Sequence, residues 1–221
     1  MFFFTSQFFS FTGDRVCLEK NPFLPLEYFF LLLEWTGSSI VIKESQKFPE
    51  VKIITPSIFR DERGYFLETF HQSRYQKQGV ETSFKQDNLS YSRYGVIRGM
   101  HFQTFPGQAK LISVIKGKIY DVFVDIRPDS KTFGEWDYVY LSDEQHSQLF
   151  LPVGFAHGFC CMSKEALVFY KVSEEYSAQT EKGFRYDDAD VDIQWPLLNP
   201  IVSLRDLEAP SFKDIFEKSS R

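Results

Sequence analysis

Cysteine is scarce in this sequence: Cys17, Cys160 and Cys161 are the only three. They form no CxxC pair, and an odd count with two side by side gives no disulfide framework. A reducing, cytoplasmic setting is therefore expected. Positive charge is also in deficit, with 25 Lys and Arg against 30 Asp and Glu and a net charge of -5. That disfavours a nucleic-acid-binding face, while leaving room for a local basic pocket around a small anion. Long apolar runs are missing as well. The most apolar stretch, "YFFLLLEW", is short and meets Glu34, so it falls well below the roughly 20 residues of a membrane span. The opening "MFFFTSQFFSF" has no basic region, and Arg15 comes too late to supply one, so no secretory signal is expected. There is no internal repeat and no low-complexity tract.

What is abundant is apolar and aromatic: 43% of residues are hydrophobic, 18% are aromatic, and 25 are Phe. A chain of 221 residues can bury one sizeable core. Residues 1–39 stand apart, rich in Phe and Leu with neither helical nor strand periodicity. They read either as an extension that packs on the domain or on a partner, or as sequence upstream of a working chain that begins near Ile40. Residues 40–221 read as a single all-β domain. "VKIITPSIF" is a strand broken at Pro56, and "DERGYFLETF" is a turn at Arg63-Gly64 followed by a strand. "FHQSRYQKQG" predicts a short helix stopped by Gly79. In "KLISVIKGKIYDVFVDIR" two β-rich runs flank Lys116-Gly117, which predicts a hairpin there. Past that turn Val122, Val124 and Ile126 share one parity, and Asp121, Phe123 and Asp125 the other. "DYVYL", "SQLFLP" and "ALVFYKV" are further short strands, and "PSFKDIFEKSSR" a short closing helix. Many short strands between Gly, Pro and Asp turns predict a sandwich or barrel, a double-sheet jelly roll among them.

Histidine is scarce too, with four in the chain. His71 and His146 sit in polar, turn-like contexts and are expected at the surface. His101, in "VIRGMHFQ", and His157, in "PVGFAHGF", lie in apolar segments beside glycine. Each is either a satisfied core histidine or part of a site. A metal-binding β-barrel would want a His-x-His pair, but Gln103 stands where the second imidazole would be and no acidic residue follows within ten positions. No metal and no cofactor are therefore expected. Cys160 and Cys161 have no cation beside them and read as inert core thiols. Acid–base chemistry suits the residues better, with His101 titrating near neutrality and Arg63, Arg98 and Lys110 as candidate cations. Tyr170 is either a core tyrosine or a phenolic acid pointing into a barrel. Arg98 and His101 have opposite strand parity. They reach one site only if the strand bulges between them, and Gly99 is the expected place.

Several motifs then line up in order: "FRDERGYFLE", "QDNLSYSRYGVIRGMHFQ", "KLISVIKGKIYDVFVDIR", "LPVGFAHGF", the "YKV" and "EYS" pair, and a late "VSLRD". Together they resemble the dTDP-4-dehydrorhamnose 3,5-epimerase family of metal-free cupins, over about Ile40 to Pro210. The resemblance implies a cupin-type double-stranded jelly roll with a few short peripheral helices. It implies epimerisation at C3 and C5 of a nucleoside-diphosphate 4-keto-6-deoxy sugar, dTDP-4-dehydro-6-deoxy-D-glucose, or a single-centre relative acting on another such sugar. By motif position His101 is the base, Asp206 the carboxylate that orients it, Lys110 the cation near the C4 oxygen and Tyr170 the acid. Arg63 and Arg98 fall on diphosphate-binding positions, and Glu68, Gln86 and Asn88 on positions that contact the nucleotide or phosphates. Tyr65 falls on an aromatic position against the base, and His157 on the pocket wall near the sugar. Such cupins are usually homodimers with exchanged N-terminal strands. They begin a few residues ahead of "IVIKESQKFPEVKII", which sets residues 1–39 outside the working enzyme. The chain departs from the family where Tyr-Tyr-Ser-Pro is usual. Here "EEYSAQ" puts Glu175 at the place read as base-stacking and Ala178 at the proline, and the segment between His101 and Lys110 is slightly short.

Overall fold

The computed structural model describes residues 40–216. The readings made for residues 1–39, and for the end of the closing helix beyond 216, lie outside the described residues. The rest is built from fourteen strands and three short helices. One six-stranded sheet runs β1 (Ile40–Glu44), β2 (Lys52–Pro56), β10 (Gln148–Leu151), β7 (Lys110–Lys116), β12 (Glu165–Val172), β5 (Gln86–Arg93) in spatial order. The other runs β13 (Glu181–Gly183), β6 (Val96–Gln103), β11 (Phe155–Cys161), β8 (Lys118–Asp125), β9 (Trp136–Ser142), with β14 (Ile201–Val202) alongside β6. β3 (Ile58–Asp61) and β4 (Gly64–Leu67) form a separate hairpin. This is the jelly roll that the many short strands implied.

Strand parity sorts the core into layers. Ile119 and Phe123 of β8 point between the sheets, where they meet Ile112 and Val114 of β7, Leu149 and Leu151 of β10, and Val168 of β12. Burying a side chain such as Phe123 contributes about 1.5–3 kcal/mol. Tyr120, Val122 and Val124 take the opposite face of the same strand and pack under Phe184, Val191, Ile193 and Phe212 of the C-terminal segment. β8 is thus buried on both sides because both sides are covered. The adjacent thiols divide in the same way, Cys161 between the sheets and Cys160 beneath the C-terminal layer. Burial pushes Cys160 up to about 12, and Cys161 upward as well, which keeps both as inert thiols. The helix α1 (Gln72–Lys77) buries Tyr75, whose hydroxyl donates to the Gln148 side chain at 2.6 Å.

The Lys116-Gly117 turn is not a hairpin. β7 and β8 lie in different sheets, so Gly117 is the corner at which the chain crosses from one to the other. Its φ is +84°, and a Cβ there would come within 2.1 Å of the Glu165 carbonyl. Only glycine fits that approach. The corner is held from outside by the Gly117 N–H donating to Asp143 Oδ2 at 2.9 Å.

The expected irregularity in β6 is present. On β11 the step from His157 to Phe159 is matched on β6 by the step from His101 to Arg98, two residues against three. Gly99 sits in this bulge with φ +126°, and a Cβ there would lie 2.6 Å from the Gly158 Cα. The extra residue rotates the strand, so side chains of opposite parity on either side of it turn to one cavity.

Candidate active site

That cavity, about 450 Å³, lies between the sheets, and its lining includes Arg98, His101, Lys110, His157, Tyr170 and Asp206. A smaller lobe of about 170 Å³ shares His101, Lys110 and Tyr170 with it and adds Gln86, Asn88, Tyr176 and Glu181. The residues read as acid–base groups therefore stand where the two lobes meet or at their wall.

His101 and Asp206 are 105 positions apart, and β14 brings them together. It pairs in parallel with the start of β6, Ile201 opposite Val96 and Val202 opposite Ile97. The chain then turns into α2 (Leu204–Leu207), where the Ser203 side chain caps the first turn by accepting from the Asp206 N–H. This sets Asp206 Oδ1 2.7 Å from His101 Nε2. Burial pushes the Asp206 carboxyl up, but the His101 hydrogen bond and charge, with donors from Gly99 and Ser203, more than offset it and hold the pKa below the usual range. Asp206 is therefore a carboxylate at neutral pH, and its hydrogen bond fixes the His101 ring.

Lys110 opens β7 and is 8% exposed. Burial pulls its pKa down to about 8, against the opposing charges of Asp121 and Glu181. Beside it, His157 Nε2 lies 2.9 and 3.0 Å from the two Asp121 oxygens, both residues being buried. Burial lowers the His157 pKa against the pull of Asp121, so the pocket wall presents a neutral imidazole. Tyr170, on β12, is raised by burial, with Arg98 opposing, and keeps its proton at neutral pH. Arg98 itself is pinned to β5: its Nε donates to Ser92 Oγ and its Nη2 to the Tyr91 carbonyl, both at 2.9 Å. Among the described residues, no group of three or more His, Cys, Asp or Glu side chains is placed to hold a metal ion.

Eight of the eleven residues singled out in the sequence converge here: His101, Tyr170, Asp206, Lys110, Arg98, His157, Gln86 and Asn88. Arg63, Tyr65 and Glu68 do not line this cavity. Arg63 sits on the β3–β4 turn and donates through Nε to Asp61 at 3.0 Å. Tyr65 faces a separate hollow, its ring 4.8 Å from that of His146 and beneath Arg60. Glu68 is paired with Arg74, whose Nε donates to it at 2.8 Å. His146, expected at the surface, is half-buried by that stacking, whereas His71 is exposed at the start of α1. Glu175 is exposed and absent from the lobe, where the next residue, Tyr176, is the aromatic ring. Tyr176, Glu181 and Arg205 were not singled out. Glu181 Oε2 accepts from the Tyr176 hydroxyl at 2.9 Å and from Arg205 Nη2 at 2.6 Å. The one available signal was that Arg205 directly precedes Asp206.

The family model described as dTDP-4-dehydrorhamnose 3,5-epimerase matches residues 45–214. An enzyme of that name from Methanothermobacter thermautotrophicus is 50% identical over 145 residues, 66% of this chain and 78% of its own length. One from Shigella flexneri is 45% identical over 168 residues, covering 75% of this chain and 93% of its own. Among solved structures, a dTDP-6-deoxy-D-glucose-3,5-epimerase from Legionella pneumophila, in complex with dTDP-4-keto-L-rhamnose, superposes with a TM-score of 0.78 at 41% identity. It covers 81% of this chain and 96% of that one.

Proposed function

The chain belongs to the dTDP-4-dehydrorhamnose 3,5-epimerase family and is an isomerase, and on that premise we propose that His101 and Tyr170 invert C3 and C5 of dTDP-4-dehydro-6-deoxy-D-glucose, giving dTDP-4-dehydro-L-rhamnose. The C4 ketone acidifies the hydrogens on both neighbouring carbons. His101 takes one as a proton, and the electron pair of the broken C–H bond moves into an enolate. Lys110 offsets the negative charge that develops on the C4 oxygen. Tyr170 returns a proton to the opposite face of the same carbon. His101 then releases its proton to solvent, the Tyr170 phenolate takes one back, and the cycle repeats at the second carbon. Asp206 holds the His101 ring and stabilises its imidazolium, as a carboxylate does for the histidine of a hydrolytic triad. Arg98 binds the diphosphate, Gln86 and Asn88 the nucleotide side, and His157 walls the sugar. Each step uses the chain's own side chains, so none calls on a cofactor.

The observation that carries this reading is the 2.7 Å His101–Asp206 pair facing one cavity with Tyr170 and Lys110. Incubating the protein with dTDP-4-dehydro-6-deoxy-D-glucose and following the sugar by proton NMR tests it. Inversion at both centres is expected. Inversion at C3 or C5 alone assigns the single-centre alternative, and an unchanged substrate overturns the reading.

The working form is proposed to be a homodimer in which N-terminal strands are exchanged and the β3–β4 hairpin reaches the partner's cavity. This would give Arg63, Tyr65 and Glu68 the diphosphate- and base-binding roles of their motif positions. Supporting it, Tyr65 and Phe66 are 54% and 51% exposed on that hairpin. The enzyme is proposed to work in the cytoplasm, where its free thiols Cys160 and Cys161 stay reduced. Among the described residues no helix is long and apolar enough to cross a membrane.

A further inference from the structure

The inner face of β5 is a polar ladder of Gln86, Asn88, Ser90 and Ser92 at every second position. Three of the four side chains have work within the protein. Gln86 Nε2 donates to Asn88 Oδ1 at 2.7 Å, Gln86 Oε1 accepts from the Tyr176 N–H, and Ser92 Oγ accepts from Arg98 Nε. Ser90 is the exception. Its Oγ is the one buried side-chain nitrogen or oxygen among the described residues that has no hydrogen-bond partner, and Ser90 lines the 450 Å³ cavity. A buried hydroxyl left unpaired costs about 1–3 kcal/mol, and Ser90 lines the cavity, so a turn of its side chain toward that space lets an occupant supply the partner.

The surroundings narrow what that occupant offers. Val168 is opposite Ser90 on β12 and Phe159 lines the same cavity; neither side chain has a polar atom. Arg98 lines it too, anchored at Tyr91 and Ser92, the two residues after Ser90. A hydroxyl and a guanidinium lining one cavity match an acceptor-only anion.

We propose that Ser90 is a binding residue of this site, its hydroxyl donating a hydrogen bond to a phosphate oxygen of the nucleotide-linked sugar beside the Arg98 guanidinium. This rests on the function proposed above. The hydroxyl contributes to binding in ground and transition state alike, so its loss shows in KM and not in kcat.

The test is Ser90→Ala in the full chain, with dTDP and the 4-keto sugar nucleotide titrated by calorimetry, steady-state kinetics, and thermal unfolding without ligand. The expected result is about a tenfold weaker Kd for both ligands, KM raised by a similar factor with kcat nearly unchanged, and an unliganded Tm equal to or above wild type. A fall in sugar-nucleotide affinity with dTDP binding unchanged moves the contact to the sugar and overturns the phosphate assignment. Unchanged affinity for both overturns any ligand contact, and a lowered unliganded Tm makes the hydroxyl structural and overturns it equally. If wild-type protein epimerises the sugar and Ser90→Ala matches it throughout, only the Ser90 assignment falls. A wild-type chain that binds neither ligand overturns the function and this assignment together.

Discussion

Burial changes the chemistry of Lys110. Its pKa of about 8 makes it an ammonium below that pH and increasingly neutral above it. The charge on the C4 oxygen needs the ammonium, so kcat is expected to fall as pH rises through about 8. Lys110→Arg should move that limb upward, because guanidinium stays charged, and Lys110→Ala should lower kcat by about 10²–10³. A kcat–pH profile of the three proteins checks both. Asp206→Asn keeps the shape of the pair but removes the charge that holds the imidazolium. It should lower kcat by roughly 10²–10⁴ with KM little changed, measured by steady-state kinetics. At this scale most of the site was legible, since His101, Lys110, Tyr170 and Asp206 were named by motif position and face one cavity. The pKa of Lys110 was not. It arises from burial and from Asp121 and Glu181, which only the fold brings near.

β6 carries the site because it is irregular. The bulge at Gly99 was inferred from a conflict of parity between Arg98 and His101, and that conflict is resolved there. Gly99→Ala meets two obstacles, a φ of +126° and the Gly158 backbone 2.6 Å from the new Cβ. It should destabilise by about 1–3 kcal/mol or more and lower activity further than stability alone explains, since His101 follows the bulge. Thermal unfolding with kinetics well below Tm separates the two effects. The Lys116-Gly117 turn went the other way. Two β-rich runs around a glycine look alike whether the strands pair or part. The partner of β8 is decided by its two covered faces and by the Glu165 and Asp143 contacts at Gly117, all long-range. Likewise, β14 is only two residues long, too short to read in sequence, yet it delivers Asp206.

For the whole molecule, three site candidates point away from their own chain's cavity. Arg63, Tyr65 and Glu68 were read by motif alone, and a motif names a role without naming which copy fills it. If each cavity is completed by the other protomer, Arg63→Ala and His101→Ala variants are each inactive alone. Random re-pairing at equal amounts makes half the dimers hybrids with one intact site of two. About a quarter of wild-type activity should return, and none if both residues serve one chain; sedimentation fixes the mass. The account as a whole turns on one base and one acid on opposite faces of the sugar. The direct measurement is deuterium incorporation from D2O into dTDP-4-dehydro-6-deoxy-D-glucose, read by NMR at C3 and C5. Wild type should label both carbons, His101→Ala neither, and Tyr170→Phe should still exchange while failing to complete inversion at either centre. Exchange that persists in His101→Ala, or its absence in the wild type, would contradict the account.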